Sequence, residues 1–231
     1  HYINFLLKIH KINFCIINTI GSVDDLIESN NNFLRKFNDF LHLTYSQLSS
    51  TLQTTELGNL IFKKGKLLKN KEWKGHDVVD LSTMESEQIF ISKFSDGNNF
   101  ETNIKTLDSY DLLYGSIRPY FKKAGFSIGT NYVAGSVYSF DVKNKDDYLW
   151  ILACITSNDF HNFTTVNSQG TKMPIINWDT FCSYKVPYDK NSIKELNENC
   201  YLIFKKCINK MLQNKQLYQL KNILLNKYFT N

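Results

Sequence analysis

The stretch SVDDLIESNNNFLRKFNDFLHLTYSQLSST, residues 22–51, decides the architecture. With Ile20 just before it, its apolar residues recur at Ile20, Val23, Ile27, Leu34, Phe37, Leu41 and Leu48. Those spacings are threes, fours and their sums, so the side chains fall on one helical stripe. Leu26, Phe33 and Phe40 widen the stripe, while Asn30 and Thr44 interrupt it with polar groups. Ser22, followed by Asp24 and Asp25, is expected as the N-cap with acidic residues in the first turn. Neither glycine nor proline occurs between Ser22 and Thr55, and the pattern predicts a single helix of roughly 30 residues, ~45 Å long.

The C-terminal end of the chain carries the matching pattern. Ile193, Leu196, Cys200, Ile203 and Cys207 step by 3, 4, 3 and 4 residues, and Met211, Leu217, Tyr218, Leu220 and Leu224 continue the apolar face. This second stretch, from Ser192 to Asn231, also has no glycine or proline. Each helix carries an apolar face too long for a small domain to cover, so the two are expected to pack together as an antiparallel coiled coil.

Between them the texture changes. Residues 55–190 hold all three prolines and nine of the ten glycines. Short apolar or alternating runs at Leu57–Phe62, Val78–Leu81, Leu112–Ile117 and Val133–Val142 predict strands separated by Gly, Asn and Asp turns. Tyr148–Ser157 predicts a helix, and Asn177 is expected to cap a short one. The expected fold class is α+β: one globular mixed α/β domain on two long antiparallel coiled-coil helices. The expected divisions are a remnant of a preceding region over 1–20, a long helix over 21–54, the globular domain over 55–190 and a distal helix over 191–231.

Composition sets bounds on function. The 231 residues carry a net charge of +5, which permits an anionic partner without demanding one. Cys15, Cys154, Cys182, Cys200 and Cys207 are odd in number and scattered, a pattern expected of free thiols in a cytoplasmic protein. No run of ~18–20 apolar residues predicts a membrane span. No metal-ligand spacing, dinucleotide-binding glycine motif, nucleophile elbow or methyltransferase signature is present, and Gly58 to Lys66 has the wrong spacing for a phosphate loop. Neither a cofactor nor catalysis is expected.

The charge is uneven. Lys63, Lys64, Lys66, Lys69, Lys71 and Lys74 face a single acid, Glu72, between Ile61 and Gly75, and Arg118, Lys122 and Lys123 are interleaved with Tyr120 and Phe121. Clusters of this kind bind phosphates through counterion release; they also occur as solubilising loops. Arg118 has the fork to grip guanine or phosphate, or to pair with a carboxylate of its own fold. Ser168, Gln169, Thr171 and Lys172 lie in a polar, glycine-containing loop with residue types that read base edges; an ordinary turn is the plainer alternative.

Several segments, taken in order, resemble the specificity subunits of type I restriction-modification systems. Val23-Asp-Asp-Leu-Ile-Glu-Ser-Asn30 resembles the opening of their conserved helix, and Leu57-Gly58 with Lys64-Gly65-Lys66 the start of their target-recognition domain. Tyr110-Asp-Leu-Leu-Tyr-Gly-Ser-Ile-Arg-Pro-Tyr120 with Lys122-Lys123 is similar to their IRPY segment. Gly170-Thr-Lys-Met-Pro174, Asn177-Trp178 and Lys185-Val-Pro187 are similar to the end of that domain. Leu220-Lys-Asn-Ile-Leu-Leu-Asn-Lys-Tyr228 is similar to the close of the distal helix. The resemblance runs from about residue 20 to 229. It implies a non-catalytic scaffold that reads one half of a split double-stranded DNA site, binds methyltransferase subunits and meets the restriction subunit through the complex. The chain holds one such domain where the family has two, which implies the second half of a subunit or a half-subunit acting as a homodimer. Lys63, Lys64, Lys66, Arg118, Lys122, Lys123, Ser168, Gln169, Thr171 and Lys172 are the expected DNA-contacting residues. A coiled-coil scaffold without DNA specificity is the alternative; it needs neither basic clusters nor a polar loop.

Overall fold

The computed structural model describes residues 2–50 and 53–229, with side chains described for 17–50 and 53–228. His1, the helix end expected at Thr51 and the last two residues of the expected distal helix lie outside them. The helices are α1 Tyr2–Ser49, α2 Leu57–Leu60, α3 Tyr148–Ile155, α4 Asn158–Val166, α5 Trp178–Cys182 and α6 Lys190–Phe229. The strands are β1 Thr54–Glu56, β2 Ile61–Lys63, β3 Asp77–Val78, β4 Phe90–Ile91, β5 Ser95–Asp96 and β6 Ile104–Thr106, followed by β7 Leu112–Gly115, β8 Ala124–Ser127, β9 Tyr132–Ala134, β10 Val137–Val142 and β11 Lys185–Pro187. None of the described helices is long and apolar enough to cross a membrane.

Helix α1 begins at Tyr2, well before the expected start. Ser22 is therefore interior and caps nothing; its hydroxyl donates to the Asn18 carbonyl at 2.9 Å, one turn back. Residues 2–20 contain no proline to break the helix, and a single interior glycine, Gly21, costs only about 1 kcal/mol.

Two compact units emerge, residues 1–37 with 204–231, and residues 38–203. In the first, the helices pair antiparallel: Asp24 meets Lys221 at 2.6 Å, Asn30 meets Asn214 at 2.8 Å, and the Phe37 and Phe204 rings lie 6.1 Å apart. The seam on α1 consists of Val23, Ile27, Leu34 and Phe37, all buried, with the polar Asn30 only 1% exposed among them. Burial of each such apolar side chain contributes about 1.5–3 kcal/mol. Leu26, which widened the stripe on paper, is 38% exposed and lies at its margin.

In the second unit Leu41 on α1 is buried, as are Ile193, Leu196 and Cys200 on α6. The core sheet has strand order β2-β10-β7-β8-β4, antiparallel except for the β4–β8 pair. In helix α3 every residue from Leu149 to Ile155 is buried, and its Trp150 packs edge-on to Tyr45 at 4.7 Å and donates Nε1–H to the Pro187 carbonyl. Tyr114, Phe160, Phe140 and Trp178 surround Phe181 at 5.1–5.5 Å. Strand β1 pairs antiparallel with β11, Thr54 opposite Pro187, which brings the two chain ends of the globular part together.

Three expected strands are corrected. Leu57–Leu60 forms a helical turn, because Leu57 and Leu60, three residues apart, are both buried on one side of it; short apolar runs fit either period. Val78–Leu81 keeps strand pairing at Val78, in β3, and a single parallel bridge from Val79 to Val133, and no further. The run 133–142 breaks at Gly135, where an added Cβ would stand 2.0 Å from the Asn103 amide, so β9 and β10 join different sheets. The expected helix over 148–157 runs to Ile155. The cap at Asn177 is as expected, its Oδ1 accepting from Thr180 N–H at 2.8 Å.

Candidate nucleic-acid interface

The segment after β7 organises the site. Ile117 forms an antiparallel bridge with Ile175, which in turn bridges Gln169. Gln169 and Ile175 exchange backbone hydrogen bonds of 2.9 and 2.8 Å, and Arg118 N–H donates to the Pro174 carbonyl at 2.7 Å. These bonds close the loop 169–175 and dock it beside Arg118. Gly170 sits at its tip with φ +104, a conformation that suits glycine. Gln169, Thr171, Lys172 and Met173 are exposed. Ser168 is half-buried and donates its hydroxyl to the Thr165 carbonyl at 2.8 Å, ending α4.

Arg118 is held in the left-handed region, φ 51 and ψ 62, immediately before Pro119. That geometry is costly for a non-glycine residue, on the order of 1–3 kcal/mol, and is found where the surrounding structure enforces it. The turn Pro119–Phe121 enforces it here, since Phe121 N–H returns to the Arg118 carbonyl. The Nε of Arg118 is buried and without a hydrogen-bond partner, so this side chain has donor capacity that the described residues leave unused.

The expected lysines fall into different environments. Lys63 is exposed, its ammonium 5.6 Å from the Tyr138 ring centroid and 5.3 Å from that of Trp178. Tyr138 donates its hydroxyl to the Ile176 carbonyl at 2.7 Å, and Ile176 N–H donates to Ser116. Lys63 is thereby linked, through Tyr138, to the segment that follows the 169–175 loop. Lys66 is exposed, with its backbone paired to Thr106. Lys64 lies between Asp108 at 2.5 Å and Asp111 at 2.8 Å; partial burial opposes its charge, but the hydrogen bonds to both carboxylates outweigh it and raise its pKa. Lys122 pairs with Glu87 at 2.6 Å and donates to Asn158 Oδ1. Lys123 donates to the Leu81 carbonyl and lies over the Phe121 ring. Arg118 and the loop are thus brought together and Lys63 lies against Tyr138 and Trp178, whereas Lys64 and Lys122 have internal carboxylate partners.

One cation stands out that charge clustering does not reveal. Lys105, opposite Val133 in the β6–β9 pair, is half-buried and donates Nζ–H to the Val137 carbonyl at 2.6 Å. Burial first, and then the charge of Lys63, press its pKa down to about 8. A lone lysine between Ile104 and Thr106 carries no signal in the sequence.

On the far side of β7, Tyr114 shares its hydroxyl with Thr164 at 2.6 Å and with His161 Nδ1 at 3.1 Å, all buried. Burial holds His161 neutral, with its pKa near about 4. Among the described residues no group of three His, Cys, Asp or Glu side chains gathers as a metal site.

No family model matches the chain, and no curated protein matches it either. Solved structures do. The type I restriction-modification system S subunit from M. genitalium superposes with a TM-score of 0.56 at 17% identity, over 94% of this chain and 60% of that one. The HsdS subunit from Thermoanaerobacter tengcongensis superposes with a TM-score of 0.47 at 10% identity, over 96% of this chain and 58% of that one. The chain thus spans about 60% of the length of the S subunits it matches. The first superposition covers both long helices and the mixed domain between them, so the chain has the fold of a type I restriction-modification S subunit.

Proposed function

We propose that the chain is the DNA-reading part of a type I specificity subunit, recognising one half of a split duplex site and scaffolding methyltransferase subunits, with no reaction of its own. The observation that carries this reading is the docking of the exposed loop 169–175 against Arg118 by the Ile117–Ile175 and Gln169–Ile175 bridges. That arrangement gathers an arginine and a set of amide, hydroxyl and ammonium side chains side by side, the groups that meet base edges and phosphates. Lys63 and Lys66 add cationic charge nearby. The restriction subunit joins through the assembled complex, and a second copy of this chain or a missing first half supplies the other half-site.

The test is a salt titration of binding to a randomised duplex pool, with and without methyltransferase subunits. Selective enrichment of a short motif, with affinity falling steeply in salt, is the expected result. Binding of methyltransferase subunits with no preference among duplexes would favour the scaffold alternative.

A further inference from the structure

We propose that Lys63 and Lys105 together form a site for a single phosphate group; resting on the reading above, that group is a backbone phosphate of the duplex held beside the 169–175 loop. Lys105 lies on β6, and its aliphatic stem crosses Gly65, two residues beyond Lys63. A Cβ built on Gly65 would sit 3.4 Å from Lys105 Cβ and 3.6 Å from its Cδ, and Gly65 has φ +84. The ammonium then reaches the first carbonyl of β10, Val137. Lys63 pairs with Phe140 on the same strand and lays its ammonium over Tyr138. Two cations therefore converge on residues 137–138 from β2 and β6.

Among the described residues neither lysine forms an ion pair, whereas neighbouring lysines do: Lys64 with Asp108 and Asp111, Lys71 and Lys74 with Glu101, Lys122 with Glu87. Among the described residues only one Lys105 N–H has an acceptor, and Lys63 has aromatic faces but no acceptor. A half-buried ammonium beside a like charge is unfavourable unless an anion joins them. Burial first, and then the charge of Lys63, keeps the Lys105 pKa low. A phosphate oxygen bound between them supplies the missing counter-charge and the missing acceptors.

Two measurements on the full chain test this. In the first, inorganic phosphate is titrated at constant ionic strength against chloride, while the lysine ε-methylene signals are followed by NMR. Lys63 and Lys105 should shift together and saturate, Lys69 should not, and Lys105→Met should abolish the response of Lys63. Absence of a saturable, phosphate-specific shift overturns the site. In the second, duplex binding is titrated with salt for Lys63→Met, Lys105→Met and the double variant. The double variant should flatten the log–log salt slope by about one, the loss of one phosphate contact, and the two single losses together should not exceed it. An unchanged slope in a duplex-binding chain overturns the assignment to the DNA backbone. Saturable phosphate shifts in a chain that binds no duplex support the phosphate site and overturn the DNA reading instead. Lys105→Arg, which keeps charge and stem, should retain binding and guards against a Lys105→Met variant that fails to fold.

Discussion

Asn30 donates its side-chain amide to Asn214 Oδ1 at 2.8 Å in the middle of an otherwise apolar helical seam, and the two residues are 1% and 4% exposed. Gln213 and Asn31 extend the layer, Asn30 donating to Gln213 Oε1 and Asn214 donating to Asn31 Oδ1. A helix pairing shifted by a turn would set these amides against leucine or isoleucine, so the layer favours one register over others.

Asn30→Leu is expected to destabilise by about 1–3 kcal/mol, because Asn214 Oδ1 loses its donor inside the seam. Asn30→Leu combined with Asn214→Leu should recover wild-type stability or exceed it, as replaced buried polar pairs often do, while forming a broader range of associated species. Thermal unfolding with light scattering distinguishes the variants. Equal melting temperatures for the single and double variants would show that the layer is not coupled.

Arg118→Ala should cost about 1–3 kcal/mol against the preferred duplex and relax preference chiefly at one base position. Lys172→Ala, at an exposed residue of the docked loop, should weaken binding to all duplexes alike and flatten the salt slope by about one if it meets a phosphate. Anisotropy titrations with matched and single-mismatch duplexes separate the two behaviours. A loss of the same size on every duplex for Arg118→Ala would remove it from base reading.

His161 supplies a pH prediction. Its folded pKa lies near about 4, below the usual 6.5, because burial first, and then the charges of Lys122 and His42, disfavour the imidazolium, with Glu87 opposing them. The unfolded chain therefore binds the extra proton first. The stability that His161 contributes is complete above pH 6.5 and is lost as pH falls from 6.5 towards 4, by roughly 3 kcal/mol in all. Urea midpoints measured across this window should fall less steeply in His161→Gln. His42, also lowered by burial, should leave a residual slope in that variant.

Gly97 starts the short turn Gly97–Asn99. A Cβ there would stand 2.0 Å from the Trp73 carbonyl oxygen and 2.7 Å from that of His76, both fixed backbone atoms. Gly97→Ala should destabilise by roughly 2–4 kcal/mol through forced backbone movement, readable as a lowered denaturation midpoint. A midpoint unchanged from wild type would mean the turn yields at little cost.

The long helices were legible because their apolar residues repeat at helical spacing for many turns. Their fine structure was not. Asn30 and Thr44 interrupt the pattern on paper yet are both buried, Asn30 because an amide opposite accepts its N–H and Thr44 because its hydroxyl donates to the Phe40 carbonyl one turn back. Leu57 and Leu60 fit both a strand and a helical turn, and only the core they face settles it. Among the proposed site residues, Arg118 and the 168–172 loop are singled out by residue type alone. The acids that engage Lys64 lie at Asp108 and Asp111, and the one that engages Lys122 lies at Glu87. Such pairings depend on tertiary placement, as does the convergence of Lys105 with Lys63, and no local pattern announces them.

The β1–β11 pairing makes residues 57–184, which lie between its strands, equivalent, for the helices, to a tight hairpin. With Thr54 fixed opposite Pro187, the helix ends stay where they are whatever length of chain loops out between them. Lengthening a surface turn inside the domain, such as the one at Gly170, leaves the helices in phase. Deleting a single residue between Pro187 and Lys190 does not. It removes or displaces Asp189, whose carboxylate accepts from Ser192 N–H at 2.9 Å at the start of α6, and turns the rest of that helix by ~100° about its axis relative to the strand. Evolution and engineering thus meet different tolerances on the two sides of one three-residue ladder: free in length within it, and strict to the residue just outside.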